Sequence, residues 1–223
     1  MPIAGKGMLL TSMDIDPADD EDDFNRWYDR EHLEERVAIE GFIEARRYVA
    51  RTGSPKYLCL YSTQSIDALD SPAYRARLGQ PTDWSKTTMV KFKNMIRAVA
   101  RITISRGNGR AAVLGIVRLR PETGQEDALR NELKTKLDTN GLDGIISMHL
   151  LESDAKLSGP TGGIPAAGSG AADWFVLIDG TNVSAITTTL AGRFTGTAAP
   201  KGAQLISSGI YDLMWDLAKS DIA

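Results

Sequence analysis

The feature that most limits the folds open to this chain is one order of elements written twice along it. Met8–Ile15 is a short apolar run ending in acids and reads as a strand stopped by Pro17. Val113–Leu119 is a second such run, closed by Pro121, 104 positions after Pro17. Gly144-Ile145-Ile146-Ser147-Met148-His149 corresponds to Gly41-Phe42-Ile43-Glu44-Ala45-Arg46 at an offset of 103, and Trp174–Ile178 to Tyr57–Tyr61 at an offset of 117. The difference of 14 falls in Ser158–Ala172, a stretch rich in Gly, Ala and Pro that reads as a flexible hairpin loop.

Between these anchors the elements follow one another in the same sense. An aromatic helix runs from Phe24 to about Glu40, where Gly41 suits the position just past a helix end. The acids of Asp19–Asp23 complement the positive end of its dipole and cap its free N–H groups; the loop lacks the glycine and distal glutamate of a calcium-binding EF-hand. Strands follow at Phe42–Ala50 and Lys56–Ser62, joined through Gly53-Ser54-Pro55. The second does not alternate, so both of its faces are covered. A shorter helix over Ile66–Leu78 restarts near Ala73, Gln80–Trp84 is a loop, and Met95–Ser105 is the fourth strand.

The order is βαββαβ, a ferredoxin-like unit with both helices on one side of an antiparallel sheet. After a linker at Arg106–Arg110 it recurs, with helices at Gln125–Leu137 and Ser184–Phe194 and a last strand at Gln204–Leu213. The expected fold is α+β: two tandem units, 1–106 and 110–223, forming an α+β barrel within one polypeptide. Each sheet would cover the face that the other's helices leave bare.

Composition narrows the function. A net charge of −3 on 223 residues, with basic residues scattered among acids, excludes a phosphate-binding face and so a nucleic-acid partner. A single cysteine, Cys59, sits inside an apolar strand and reads as a buried, inert thiol. No run approaches a signal peptide or a membrane span, so the expected setting is cytoplasmic with no membrane partner. A homodimer through a free edge strand is compatible with this pattern. No P-loop, Rossmann or nucleophile-elbow motif is present, and no cofactor is expected.

Candidate chemistry collects on the aromatic helix. Phe24, Trp27, Tyr28, Glu31 and His32 follow i, i+3, i+4, i+7, i+8 and share a face. His32 can shuttle a proton near neutral pH, with Glu31 or Glu35 orienting the ring; the plainer alternative is a helix-end histidine bonded to a backbone carbonyl. Metal binding is not expected, because no second His or Cys lies at ligand spacing. Trp27, Tyr48, Tyr61 and Trp84 are candidate pocket residues, with core packing as the alternative for each. Arg46 and Arg47 alternate across the second strand, so one faces inward and needs an acid, either Glu44, a helix glutamate or an anionic ligand.

The segment Phe24-Asn25-x-Trp27-Tyr28-x-x-Glu31-His32-Leu33, with Gly41-Phe42 downstream, resembles the EthD-like branch of the dimeric α+β barrel superfamily. The resemblance implies a pocket between sheet and helices and cofactor-independent chemistry of the decarboxylase, cyclase or isomerase type. Position 34 is Glu where that branch usually has Pro, so the helix is expected to run on past His32. By the 104 offset the motif residues become Asn131, Glu132, Thr135 and Lys136, which confines any site to the first half.

The expected function is proton transfer on a small metabolite, with His32 as acid/base and Tyr28 or Tyr48 bonding a developing oxyanion. The alternatives are a cofactor-free monooxygenase and a non-catalytic ligand-binding or accessory protein. An enzyme calls for His32 and a tyrosine hydroxyl to meet at an open cavity of roughly 300 Å³ or more.

Overall fold

A computed structural model describes residues 3–16, 18–159 and 170–222. Eight antiparallel strands close into a barrel in the order β1-β3-β2-β8-β5-β7-β6-β4: β1 Gly7–Ile15, β2 Phe42–Thr52, β3 Tyr57–Thr63, β4 Phe92–Gly107, β5 Val113–Pro121, β6 Ile145–Ser153, β7 Trp174–Gly180 and β8 Ala203–Ala218. Read from its outer strand, the first half runs β4-β1-β3-β2 and the second β8-β5-β7-β6. The halves join through β2–β8 and β4–β6, so no strand edge is left open among the described residues.

The pairings repeat between halves. Ala45 faces Tyr61 as Met148 faces Ile178, in agreement with offsets of 103 and 117. In the first strand the correspondence is 106, not 104: Gly7 pairs with Thr63 and Arg101, and Val113 with Gly180 and Asp212. Pro121 therefore belongs to β5 and matches Ile15. Pro17 lies outside the described residues, as does most of the Ser158–Ala172 loop.

Strand alternation divides the interior into three cores. Leu9, Met13, Ala45, Cys59, Tyr61 and Val99 point out of the barrel against the first-half helices. Val117, Met148, Val176 and Ile178 do the same for Leu129, Leu133, Ile186 and Leu190 in the second half, on α5 (Glu126–Lys136) and α6 (Val183–Arg193). Met8, Leu10, Tyr48, Leu58, Leu60, Phe175 and Leu177 fill the lumen. β3 is buried along all seven residues because one face meets helices and the other the lumen.

The aromatic helix is made of α1 (Glu21–Trp27), a π-helical turn (Tyr28–His32) and α2 (Leu33–Val37). Asp20 caps it, its carboxylate accepting from the Asp23 N–H at 2.9 Å. The Leu33 N–H reaches back five residues to the Tyr28 carbonyl, which defines the π turn. The helix continues past Glu34 but ends at Val37, short of Glu40, with Gly41 at φ +85°.

A 3-10 turn (Ile66–Asp70) leads into α3 (Pro72–Gly79), whose first turn is capped by Ser71. The expected loop at Gln80–Trp84 gives way at Asp83 to a further helix, α4 (Asp83–Met89), because the Thr82 hydroxyl accepts from the Ser85 N–H. β4 and β8 each run to 16 residues, longer than their apolar stretches suggest.

Candidate functional site

The π turn decides how the motif side chains meet. In a regular α-helix, residues five apart point about 140° away from each other. The wider turn brings Trp27 and His32 into register instead, and their rings stack at 4.1 Å with planes 28° apart. Tyr28 stands edge-on to both, with centroids 4.9 Å from Trp27 and 5.1 Å from His32. Such turns occur often at functional sites because they re-aim side chains without ending the helix.

His32 lines a cavity of about 40 Å³ between the outer face of the sheet and the helices, together with Tyr28, Arg36, Tyr61, Tyr74 and Arg97. Three buried polar atoms of this wall have no hydrogen-bond partner among the described residues: His32 Nδ1, Arg36 Nη1 and the Tyr61 hydroxyl. Buried polar groups are nearly always bonded; five more such atoms lie elsewhere among the described residues, on Arg46, Arg47, Thr88 and Ser153, but these three belong to residues that line one hollow.

Glu31 and Glu35 do not orient the imidazole, contrary to expectation. The Glu31 carboxylate accepts from Trp27 Nε1 at 3.1 Å, Thr82 Oγ1 at 2.6 Å and Ser85 Oγ at 3.1 Å. Glu35 is ion-paired with Arg77. What holds the His32 ring is aromatic packing.

Electrostatics follow from burial. The pKa of His32 lies well below the usual value, first because burial disfavours the imidazolium and then because Arg36, Arg47 and Arg77 repel it. It is neutral at pH 7. Burial likewise holds the Tyr28 and Tyr61 hydroxyls far above the usual phenol range, so both are donors. Cys59 is buried and free, its thiol pushed up to about 11 by desolvation, an inert core group as expected.

Tyr28, His32 and Tyr61 thus come together, and Trp27 backs them without lining the hollow. Arg46 and Tyr48 do not join them. They point into the lumen, where Arg46 donates to the Tyr48 hydroxyl at 3.2 Å and to Asp179 at 3.4 Å, with Glu44 at 3.9 Å. Arg47 is buried too, on the opposite face, bonded to Asp29 and Asn25 with its guanidinium 4.3 Å from the Tyr28 ring centroid. A closed barrel covers both faces of β2, so both arginines are inward and both find partners. Trp84 lies on α4 with its indole N–H toward Asp23 and lines no part of the hollow.

Arg36 and Arg97 escaped the sequence reading. Arg36 stands four residues after His32, a same-face spacing that could have flagged it; Arg97 sits mid-strand, and only the fold brings it here.

A wider, open hollow of about 340 Å³ lies apart from the one that His32 lines, around Pro55, Asn94, Ile96, Arg118 and Ser207. None of the unpartnered buried atoms belongs to it, and Arg118 is held by Asp173. Among the described residues no three His, Cys, Asp or Glu side chains gather as a metal site, and no helix is long and apolar enough to cross a membrane.

No family model and no curated protein matches the sequence. Solved structures match its shape. An anthrone oxidase-like protein aligns with a TM-score of 0.66 at 11% identity, covering 99% of this chain and 96% of that one. A proposed monooxygenase from Lactobacillus acidophilus gives 0.57 at 10% identity over 96% and 97% of the two chains. A proposed chlorite dismutase gives 0.55 at 11% identity over 97% of each. The fold is that of the dimeric α+β barrel proteins. At these identities the likeness extends to fold alone.

A heme-binding protein from Thermus thermophilus shares this fold, with a TM-score of 0.50 at 11% identity over 100% of this chain and 95% of that one, which raises the question of heme here. Heme needs an axial ligand and a cavity of several hundred Å³, roughly. His32 faces only about 40 Å³. The other histidine, His149, has both ring nitrogens engaged, by Ser105 at 2.7 Å and Ser147 at 3.1 Å. Neither histidine is placed to hold the group.

Proposed function

We propose that the chain is a cofactor-independent enzyme that moves a proton on a small metabolite, in the manner of an isomerase, lyase or cyclase. The observation that carries this reading is that three residues lining one hollow, His32, Arg36 and Tyr61, each keep a buried polar atom without a partner: Nδ1, Nη1 and the hydroxyl. In the tautomer protonated at Nε2, the Nδ1 lone pair accepts a proton from a carbon acid. The oxyanion that forms is met by the Tyr61 hydroxyl and Arg36, donors already in place and shielded from water. Tyr28 assists by fixing the imidazole edge-on; its hydroxyl is turned to Met13 Sδ at 3.6 Å.

The hollow holds a few waters at its present size, so a substrate enters only if the Pro72–Met89 segment shifts outward. Tyr74, Leu78 and Met89 of that segment form part of the wall. We also read residues 1–106 and 110–223 as tandem ferredoxin-like units, the second standing in for a partner subunit. Their matching strand order and the repeated register support this. The helical motif supports the EthD-like branch.

Deuterium wash-in at acidic C–H bonds of keto acids and β-diketones in D2O, followed by NMR, tests the proton transfer before the natural substrate is known. Catalysed exchange that drops at least ~100-fold in His32→Ala is the expected result; undiminished exchange in the variant overturns it.

Two observations favour other readings. The anthrone oxidase-like and monooxygenase neighbours in fold favour a cofactor-free oxygenase, which oxygen uptake with anthrone would reveal. The small hollow favours a non-catalytic binding protein, for which neither exchange nor oxygen uptake exceeds background.

A further inference from the structure

We propose that the hollow beside His32 is selective for a carboxylate or enolate anion, and that Arg36 is the residue that selects it. The inference deepens the reading of this hollow as a ligand site and rests on it. Arg36 comes from α2, is 8% exposed, and leaves Nη1 without a partner. A guanidinium buried with a free donor is costly unless an acceptor, best a charged one, completes it. The protein supplies none: no acid lines the hollow among the described residues.

The helix carboxylates Glu31, Glu35 and Asp29 are engaged elsewhere, Glu31 by Trp27, Thr82 and Ser85, Glu35 by Arg77, and Asp29 by Arg47. The second cation of the wall, Arg97, gives its Nη1 to the carbonyls of Leu157 and Gly159 and its Nη2 to the Tyr74 hydroxyl. Arg36 therefore remains as the anchor. About 40 Å³ accommodates about three waters, at ~10–15 Å³ each, which is also the bulk of a single carboxylate group. The anionic head of a ligand fits without rearrangement, and only its remainder needs the α3–α4 wall to move.

Binding there also reaches His32. Its ring feels positive charge from three elements, Arg36 on α2, Arg47 on β2 and Arg77 on α3, and Arg97 of β4 also lines the hollow, while the buried hydroxyls of Tyr28 and Tyr61 stay neutral. An anion on Arg36 counters that field and restores basicity to the imidazole, so His32 becomes a competent base once the ligand is in place.

The full-length protein, Arg36→Met and Arg36→Lys are titrated at constant ionic strength with acetate and benzoate and with their neutral counterparts acetamide and benzamide. The His32 imidazole resonances and Tm are followed. The carboxylates are expected to bind at least tenfold more tightly than the amides and to move the His32 titration upward. Arg36→Met should lose at least tenfold of carboxylate affinity, and Arg36→Lys should keep most of it. Amides binding as well as carboxylates, or unchanged carboxylate binding in Arg36→Met, overturns anion selection while leaving the ligand site standing. Silence of His32 toward all four compounds removes the ligand site, and the inference with it. If Arg36→Met fails to fold, the carboxylate–amide contrast in the wild type and the Arg36→Lys result decide.

Discussion

The imidazole of His32 lies almost flat on the indole of Trp27, five residues earlier in the same helix, at a centroid separation of 4.1 Å. This contact exists only because the chain takes a π turn between them. It fixes the ring without a hydrogen bond to Nδ1, which stays buried and unpartnered beside the hollow. The indole is itself anchored at its N–H by Glu31 and Ser85.

Replacing Trp27 by Phe tests that arrangement. The substitution removes the indole donor and part of the stacking surface, and should destabilise the fold by about 1–3 kcal/mol, measured by urea denaturation. The His32 resonances should broaden or shift as its platform narrows. A neutral effect on both would mean that the stack does not hold the ring.

Both histidines fold neutral, and the sign of the pH dependence follows. His32 titrates well below its ordinary value, and His149 is pushed down to about 3 by burial and by Arg46. Protons therefore bind the unfolded chain more readily. Stability is fully present above the unfolded value near ~6.5 and falls as pH drops below it, by up to about 1.4 kcal/mol per pH unit for each histidine. Urea midpoints between neutral pH and pH 5 should show the decline, and His32→Gln and His149→Gln should each flatten part of it.

Within the lumen, Arg46 of β2 reaches Asp179 of β7, a pair with side chains 2% and 0% exposed. Arg46→Met or Asp179→Leu alone leaves a buried charge and should cost about 3–5 kcal/mol, whereas the double variant should recover much of the loss. A double-mutant cycle by chemical denaturation gives the coupling. Additive losses would show that the two do not depend on each other.

Gly41 closes the aromatic helix at φ +85°, and an added Cβ would lie 2.7 Å from the Ala68 methyl. Gly41→Ala should therefore cost about 1–2 kcal/mol from the left-handed backbone, and more from the clash. Thermal denaturation checks this, with Gly124→Ala as a control whose φ is similarly positive but whose added methyl meets nothing.

These particulars show how far the residues alone could lead. The strands were legible because their apolar runs are short and bounded, and β3 betrayed its double burial by failing to alternate. The helix was legible from the i, i+4 spacing, but the π turn was not, since one extra residue per turn leaves no mark in a pattern of apolar positions. Arg46 and Tyr48 were drawn into the site because two-residue alternation tells which residues share a face but not which face is outside. That parity is set by pairing Ala45, not Arg46, with Tyr61. Arg97 could not be read at all, because its place depends on β4 lying beside β1.

The central claim is that the hollow bounded by His32, Arg36 and Tyr61 is built to be filled by a hydrogen-bonding guest. A high-resolution electron-density map of crystals grown in acetate tests it most directly. Ordered density bonded to His32 Nδ1, Arg36 Nη1 and the Tyr61 hydroxyl is the predicted result. An empty hollow, or the three atoms turned instead to partners within the protein, would contradict it.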